Sequence, residues 1–412
     1  MKQIDEEFTT RQLTHERTVV RELARQVAEI AQEPRMASIL QRWRDVNALR
    51  TPDRAPVWCR PAGCWTEIIP LEDLTCQHPR LRWLEYDFRQ LLYKRFLDDD
   101  TPIEPAFAVP AVFEVQPANL WGFDITRQES ETEGGAWAYQ PPLKNADDFA
   151  RLQFPIFTYN PARTREALER ADALLGDLLP VKLVCGAPLS ATLGTTAADL
   201  RGLEQMMVDM VDAPELLHRL LAHLRDATLH ALDQVEATGL VTPNTAEAMT
   251  ASDPLNATDD ASFQQCWCMA NSQEFDQVSP AMWEEFCLAY QLPIFTRFGA
   301  VGYGCCENLT RKLDGVLSIP NLRMVVCSAW TNLDTVLERV GRNYCIMWRQ
   351  KASDIVFPDD TVAIRRDLEH GVTRLRGHAY QIVLRELQTL AGHPNRLVEW
   401  VAIAKELAAK YA

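Results

Sequence analysis

Apolar residues in the first hundred positions recur at the spacing of one face of an α-helix. The clearest run has apolar side chains three or four positions apart, at Val20, Leu23, Val27 and Ile30. The same pattern predicts two further helices, over residues 36–49 and 81–97, with an irregular stretch rich in Pro, Cys and Trp between them. We therefore expect residues 1–100 to form a helical N-terminal extension.

From residue 103 onward, short apolar runs alternate with helical patterns. Several runs are rich in Val and Ile without period-two alternation, which is typical of parallel strands covered on both faces. The predicted strands are 106–115, 181–185, 298–306, 322–327, 344–348 and 380–384. Because parallel strands joined through helices require right-handed crossovers, the alternation predicts an α/β fold. We expect a (β/α)8 TIM-like barrel over residues 101–412.

The composition of the 412-residue chain, with 47% hydrophobic residues, is that of an ordinary globular protein with a large core. A formal net charge of -15 argues against nucleic acid and anionic membrane surfaces as partners. The eleven cysteines are scattered and odd in number, and the polar residues 1–11 do not resemble a secretory signal. These features predict a protein of the reducing cytoplasm, with no segment that spans a membrane.

The predicted strand over 298–306 ends in reactive groups, since Cys305, Cys306 and Glu307 close it. In barrels of this class the chemistry lies at the carboxyl ends of the strands, and thiols and carboxylates are zinc ligands. Cys268, on another extended segment, would supply a further thiol. Free cysteine also packs as a small buried hydrophobe, and that alternative stays open for the adjacent pair. We expect a metal site made of Cys305, Cys306, Glu307 and Cys268.

Other polar and aromatic residues also fall at or just after predicted strand ends. Lys351 and Glu386, together with Glu307, are candidates for acid-base catalysis, although an ion pair on the barrel rim explains Lys351 and Glu386 about as well. The residues predicted to contact substrate are Glu114, Gln273, Tyr303, Trp330 and Arg349. No histidine falls at a predicted strand end, which argues against a hydrolase with a Cys-His pair.

Several short motifs resemble those of the uroporphyrinogen decarboxylase-like superfamily, and more closely its corrinoid-associated methyltransferase branch. The likeness covers most of the chain, including Trp43-Arg44 and Leu84-Glu85 in the N-terminal part. The motifs that carry it are Pro180-Val181-Lys182-Leu183, Phe298-Gly299 leading to Tyr303-Gly304-Cys305-Cys306-Glu307, Pro320-Asn321-Leu322-Arg323, and Thr389 through Arg396 to Trp400. The resemblance implies a barrel whose mouth binds a tetrapyrrole, or a cobalamin carried by a partner protein.

The resemblance also implies a zinc site, in a form that this chain alters. Methylcobamide:coenzyme M methyltransferases hold zinc with a His-x-Cys pair and a later cysteine. Here Cys306 takes the place of the motif cysteine, the histidine is missing, and the final predicted strand ends in Arg385-Glu386 where the later cysteine would stand. Glu307, Cys305 or Cys268 would have to complete the ligand set.

A second comparison within the superfamily concerns decarboxylation of porphyrinogens. Porphyrinogen decarboxylases have an arginine-rich segment near the N-terminus, and residues 57–64 of this chain resemble it. Arg60 matches the first arginine of that segment, and Cys64 stands where the second would be. A substrate with many carboxylates needs several cations, so the resemblance argues against a porphyrinogen substrate.

The function expected from the resemblance is corrinoid-dependent methyl transfer. A small methylated compound would be demethylated, with the methyl group passing to or from a corrinoid carrier protein, and zinc as the second cofactor. One alternative is a decarboxylase or lyase of a small carboxylic acid, with Arg349, Lys351 or Arg60 binding the carboxylate. Another is a protein that binds a tetrapyrrole or corrinoid without catalysis. A homodimer is compatible with the sequence.

Overall fold

The structure of the chain is a computed structural model that describes residues 8–128, 130–131, 138–256 and 261–412. Its helices are α1 Thr10–Ala31, α2 Arg35–Asn47, α3 Trp65–Ile68, α4 Pro79–Leu97, α5 Pro161–Leu175, α6 Leu193–Arg201, α7 Leu203–Asp212, α8 Pro214–Glu236, α9 Pro280–Trp283, α10 Ala289–Phe295, α11 Leu313–Leu317, α12 Leu333–Val340, α13 Ser353–Val356, α14 Val362–Leu375 and α15 Arg396–Lys410. A π-helical turn, Glu284–Leu288, joins α9 to α10.

The strands are β1 Val57–Cys59, β2 Phe107–Pro110, β3 Phe113–Gln116, β4 Thr126–Gln128, β5 Ala138–Gln140, β6 Ile156–Tyr159, β7 Val181–Val184, β8 Trp267–Ala270, β9 Ala300–Tyr303, β10 Leu322–Cys327, β11 Cys345–Arg349 and β12 Tyr380–Leu384. Six of them form one curled parallel sheet in the order β1-β12-β11-β10-β9-β8. A parallel pair, β2 and β7, stands beside two antiparallel pairs, β3 with β6 and β4 with β5. The fold is therefore mixed α/β, with a half-barrel sheet at its centre.

The N-terminal helices pack around their own hydrophobic cluster. The helix α1 begins at a capping box in which Thr9 and Gln12 satisfy each other's backbone N–H groups. Its apolar face packs with α2 and α4 in a cluster that includes Val20, Trp43 and Phe88. The three helices predicted in this region are present, with bounds that differ by a few residues.

The strand β1 lies within the predicted N-terminal extension but belongs to the main sheet. Its residues pair with β12, where Cys59 is level with Leu384. Asp100 holds the strand in place, because its buried carboxylate accepts the Val57 N–H at 2.8 Å and two bonds from Arg54, at 2.6 and 2.8 Å. The predicted parts 1–100 and 101–412 thus share one sheet.

The central strands are largely apolar along their whole length because both faces of the sheet are buried there. Every residue of β11 and β12 is buried. Alternate residues of β11 face two different hydrophobic clusters, with Ile346 and Trp348 in the larger one and Cys345 and Met347 in the other. This is why the pattern lacks the alternation of a half-exposed strand. Within the described residues, no helix is both long enough and apolar enough to cross a membrane.

Candidate active site

The adjacent thiols Cys305 and Cys306 lie just beyond the carboxyl end of β9. The chain turns there at Gly304, whose φ of +115° favours glycine, and an added Cβ would approach Val326 Cβ to 2.9 Å. The two sulfur atoms are 3.5 Å apart. Of the eleven cysteines, nine are buried and only these two are partly exposed. The strand end therefore presents a pair of accessible thiols in mutual contact.

A carboxylate that lies 80 residues after Cys306 in the sequence completes the cluster. Glu386 follows β12, and its Oε1 lies 3.4 Å from Cys306 Sγ, within hydrogen-bond distance of that thiol. About a third of its side chain, 35%, is exposed. The ligand atoms of Cys305, Cys306 and Glu386 lie within 4.8 Å of one another, and in the described part of the chain they are the one group of three metal-binding side chains so closely spaced.

Arg349, the last residue of β11, ties the thiol turn to the carboxylate. Its Nη1 donates to Glu386 Oε1 at 2.8 Å and to the Cys305 carbonyl at 2.9 Å, and lies 3.8 Å from Cys305 Sγ. The side chain is 1% exposed, and its Nη2 donates to Met347 Sδ at 3.5 Å. Because the guanidinium is rigid and nearly sealed from water, it fixes the carboxylate beside the sulfur atoms.

Glu307 is buried and positions the thiol turn from behind. Its Oε2 accepts the Cys305 N–H at 2.8 Å, and its Oε1 accepts the Ser272 N–H at 2.8 Å. Its carbonyl accepts a hydrogen bond from Ser328 Oγ at 2.8 Å. Both carboxylate oxygens are thus occupied by backbone donors. Glu307 was predicted as a ligand and a catalytic group, but it lies outside the close group of ligand atoms and anchors the backbone of Cys305.

The two thiols are electrostatically unequal. Donation from the Cys306 S–H, helped by the charges of Arg349 and Arg385, outweighs burial and lowers the pKa of Cys305 to about 6. The pKa of Cys306 is raised, because its S–H donates to Cys305 and because burial, Cys305 and Glu386 all oppose a second negative charge. The first negative charge of the pair therefore falls on Cys305 rather than on Cys306.

Three arginines end three neighbouring strands, and the side chains of two of them, Arg60 and Arg385, have no hydrogen bond or ion pair with a described residue. Arg60 follows β1, Arg349 ends β11 and Arg385 follows β12. The Arg60 N–H donates to the Leu384 carbonyl at 2.8 Å, which sets Arg60 and Arg385 at the same level of the sheet. Burial, followed by the like charges of Arg349 and Arg60, lowers the pKa of Arg385. Arg385 was not among the predicted site residues, although it directly precedes Glu386 in the sequence.

Two predicted site residues lie in the core. Tyr303 is fully buried, and its hydroxyl donates to Gln291 Oε1 at 3.0 Å and accepts from Trp283 Nε1 at 3.3 Å. This packing against α9 and α10 leaves Tyr303 no exposed surface for a substrate. Cys268 on β8 is buried in the main hydrophobic cluster, where burial raises the pKa of its thiol to about 12. Its sulfur is not part of the close group of ligand atoms.

Within the described part of the chain, the remaining predicted residues make no hydrogen bond or ion pair with Cys305 or Cys306. Lys351 Nζ is 5.6 Å from the centre of the Trp330 ring, and both side chains are about half exposed, at 49% and 53%. Gln273 is exposed in the turn after β8. Glu114 is exposed on β3, and its Oε1 accepts a hydrogen bond from Asn160 Nδ2 at 2.7 Å. The structure therefore brings together Cys305, Cys306, Arg349 and Glu386 from the predicted set.

Comparison with known proteins supports the fold. No protein-family model and no curated protein matches the chain. Among solved structures, the chain is similar to a methyltransferase from Methanosarcina mazei, with a TM-score of 0.52 and 12% sequence identity. The match covers 89% of this chain and 98% of that one. At this identity, the likeness shows that the two proteins share a fold over nearly their whole lengths.

Proposed function

We propose that the chain is a corrinoid-dependent methyltransferase of the uroporphyrinogen decarboxylase-like superfamily, acting on a small methylated substrate in the cytoplasm. The observation that carries the proposal is the convergence of Cys305, Cys306 and Glu386 at one rim of the sheet. The resemblance of the sequence motifs to the methyltransferase branch supports it. The fold shared with a methyltransferase is consistent with it.

The proposal includes closure of the sheet into a (β/α)8 barrel by the pair β2 and β7. The two strands are parallel to each other, and with the six parallel strands of the main sheet they bring the number of strands to the eight that such a barrel needs. Residues 242–244 bridge the gap between β7 and β8: the Thr242 N–H donates to the Cys185 carbonyl at 2.9 Å, and Asn244 Oδ1 accepts the Trp267 N–H at 2.7 Å. In a closed barrel, the thiol cluster would lie at the mouth.

The donor set fits zinc. Zinc in proteins takes cysteine sulfur and carboxylate oxygen in tetrahedral geometry, and three protein ligands leave one position for substrate. Cys305, Cys306 and Glu386 would supply these three, so Glu386 takes the place of the later cysteine of the resembling enzymes. A zinc ion there would act as a Lewis acid toward the atom that gains or loses the methyl group.

The other residues of the rim would prepare this reaction. Arg349 holds Glu386 in position, and Glu307 fixes the backbone that carries Cys305. The exposed pair Trp330 and Lys351 offers a flat aromatic surface and a cation on the outside of the rim, where a corrinoid carrier protein would dock. The substrate would bind between this surface and the thiols.

Metal analysis of the purified chain tests the proposal together with a methyl-transfer assay. We expect about one zinc per chain, lost in Cys306→Ser and in Glu386→Ala. Cys345→Ala, at the buried amino end of β11, should retain the metal and serves as the matched control. The absorbance of added cobalamin should change when methylated thiols, amines and alcohols are supplied in turn. A wild-type chain without zinc, and cobalamin spectra that never change, would refute it.

A second candidate is a decarboxylase or lyase of a small carboxylic acid. It is favoured by the guanidinium groups of Arg60, Arg349 and Arg385 at three adjacent strand ends, of which Arg60 and Arg385 pair with no described residue. Arginine binds carboxylate in a bidentate manner, so these groups suit a substrate acid. This activity would release carbon dioxide from small acids, persist after chelation, and fall sharply in Arg385→Gln.

A further inference from the structure

Cys305 and Cys306 are adjacent, partly exposed cysteines in a chain whose other cysteines are buried. Nine of the eleven cysteines, all within the described residues, are buried. The sulfur atoms of the pair are 3.5 Å apart, so a bond between them requires an approach of about 1.5 Å. An oxidant that enters from solvent therefore meets these two thiols first, and each has the other as its nearest sulfur.

We propose that Cys305 and Cys306 are a reversible oxidation site, at which a hydroperoxide converts the pair to a vicinal disulfide and a reducing thiol restores it. The inference depends on the thiol pair and its neighbours, and it stands whether or not the chain transfers methyl groups. If zinc is bound as proposed above, the disulfide removes both sulfur ligands at once.

The first step is attack by the sulfur of Cys305. This sulfur is partly exposed and lies 3.5 Å from Cys306 Sγ and 3.8 Å from Arg349 Nη1, and the thiolate is the form of a cysteine that attacks. The thiolate attacks one peroxide oxygen and the O–O bond breaks. The departing oxygen takes up a proton and leaves as water or as an alcohol, and Cys305 becomes a sulfenic acid.

The second step uses Glu386 as the base for Cys306. Glu386 Oε1 lies 3.4 Å from Cys306 Sγ and is positioned to take the thiol proton. The resulting Cys306 thiolate attacks the Cys305 sulfur and the S–O bond breaks, so that the hydroxide takes a proton and leaves as water. With hydrogen peroxide, two thiols and one oxidant give one disulfide and two waters. The two electrons come from the two sulfurs.

Mass spectrometry of the full-length chain tests the inference directly. Trypsin releases both cysteines on one peptide, residues 298–311, which contains no other cysteine. The reduced, chelator-treated chain is exposed to an equal amount of hydrogen peroxide and digested without reductant. We expect this peptide to lose two hydrogens in mass and to regain them with dithiothreitol. A peptide that stays reduced, gains only oxygen, or is linked to another cysteine overturns the proposal.

Three variants separate the steps. In Cys306→Ser the peptide should gain oxygen at Cys305 and should not lose hydrogen. In Glu386→Gln, where the base is removed, the Cys305 sulfenic acid should persist and be trapped by dimedone several-fold more than in the wild type. Cys345→Ala keeps the exposed pair and should oxidise as the wild type does. If Cys306→Ser or Glu386→Gln matches the wild type, the assigned roles are wrong.

Discussion

Replacing Glu307 by glutamine isolates the contribution of one buried carboxylate to the thiol turn. In the wild type both oxygens accept backbone N–H groups at 2.8 Å, from Cys305 and Ser272. Glutamine has the same shape but keeps only one acceptor oxygen. One of the two N–H groups would then face an amide N–H, and the other would lose its charged partner.

The size of the effect follows from these two hydrogen bonds. A hydrogen bond to a charged group contributes about 1.5–3 kcal/mol, and a buried donor left without a partner costs about 1–3 kcal/mol. Since one bond is lost and the other weakened, Glu307→Gln should lower the free energy of unfolding by about 2–4 kcal/mol. The turn that carries Cys305 and Cys306 should loosen together with it.

Urea unfolding followed by tryptophan fluorescence measures this change, since the chain has eleven tryptophans. The matched control is Glu67→Gln, an exposed glutamate that accepts a single backbone N–H, from Leu390 at 2.9 Å. That substitution should cost less than about 1 kcal/mol. The anchoring role of Glu307 is refuted if the free energy of unfolding of Glu307→Gln lies within about 1 kcal/mol of the wild-type value, or is no lower than that of the control.

Three further outcomes are expected. The rate at which iodoacetamide alkylates Cys305 should rise with pH around a midpoint near 6, the pKa of this thiol. Arg349→Gln should move the midpoint upward because a positive charge beside the sulfur is lost. An unmoved midpoint would contradict the influence of Arg349 on the pKa of Cys305. Tyr303→Phe should cost about 1–2 kcal/mol by removing the donor to Gln291, with unchanged zinc content; loss of zinc would show a direct role at the site. Asp100→Asn should cost about 3–5 kcal/mol in urea unfolding, since a buried guanidinium loses its counter-charge; a near-neutral change refutes this account of β1.

The central strands were predictable because their sequences are apolar throughout. The predicted bounds of 322–327 and 380–384 match β10 and β12 residue for residue. The strand β1, only three residues long, lies in a stretch rich in Pro and Cys where no period can be recognised. Its identity as a strand depends on pairing with β12 and on Asp100, and neither contact is visible in the local pattern.

The sequence was enough to predict a thiol site at a strand end, but not which residues form it. Adjacent cysteines after an apolar run point to a strand end, and the structure shows the thiols there. The pattern suggested Glu307 as their partner because it is next in sequence. Glu386 is the carboxylate that contacts the thiols, because β9, β10, β11 and β12 lie side by side in one curled sheet. This contact joins distant parts of the sequence, and no short motif encodes it. The burial of Cys268 likewise depends on which face of β8 it occupies.

The pairing of β1 with β12 has a consequence for biosynthesis. The strand β1 must wait for β12, which is synthesised much later, because the Ile382 N–H donates to the Pro56 carbonyl across this seam at 3.0 Å. Contacts between distant segments slow folding, and an unpaired strand edge invites association with other chains. A nascent chain that stalls after β11 would lack β12, so β1 and the edge of β11 that pairs with β12 would both be left unpaired. We expect ribosome-bound chains of that length to need a chaperone, whereas helices α1, α2 and α4 can already dock on one another.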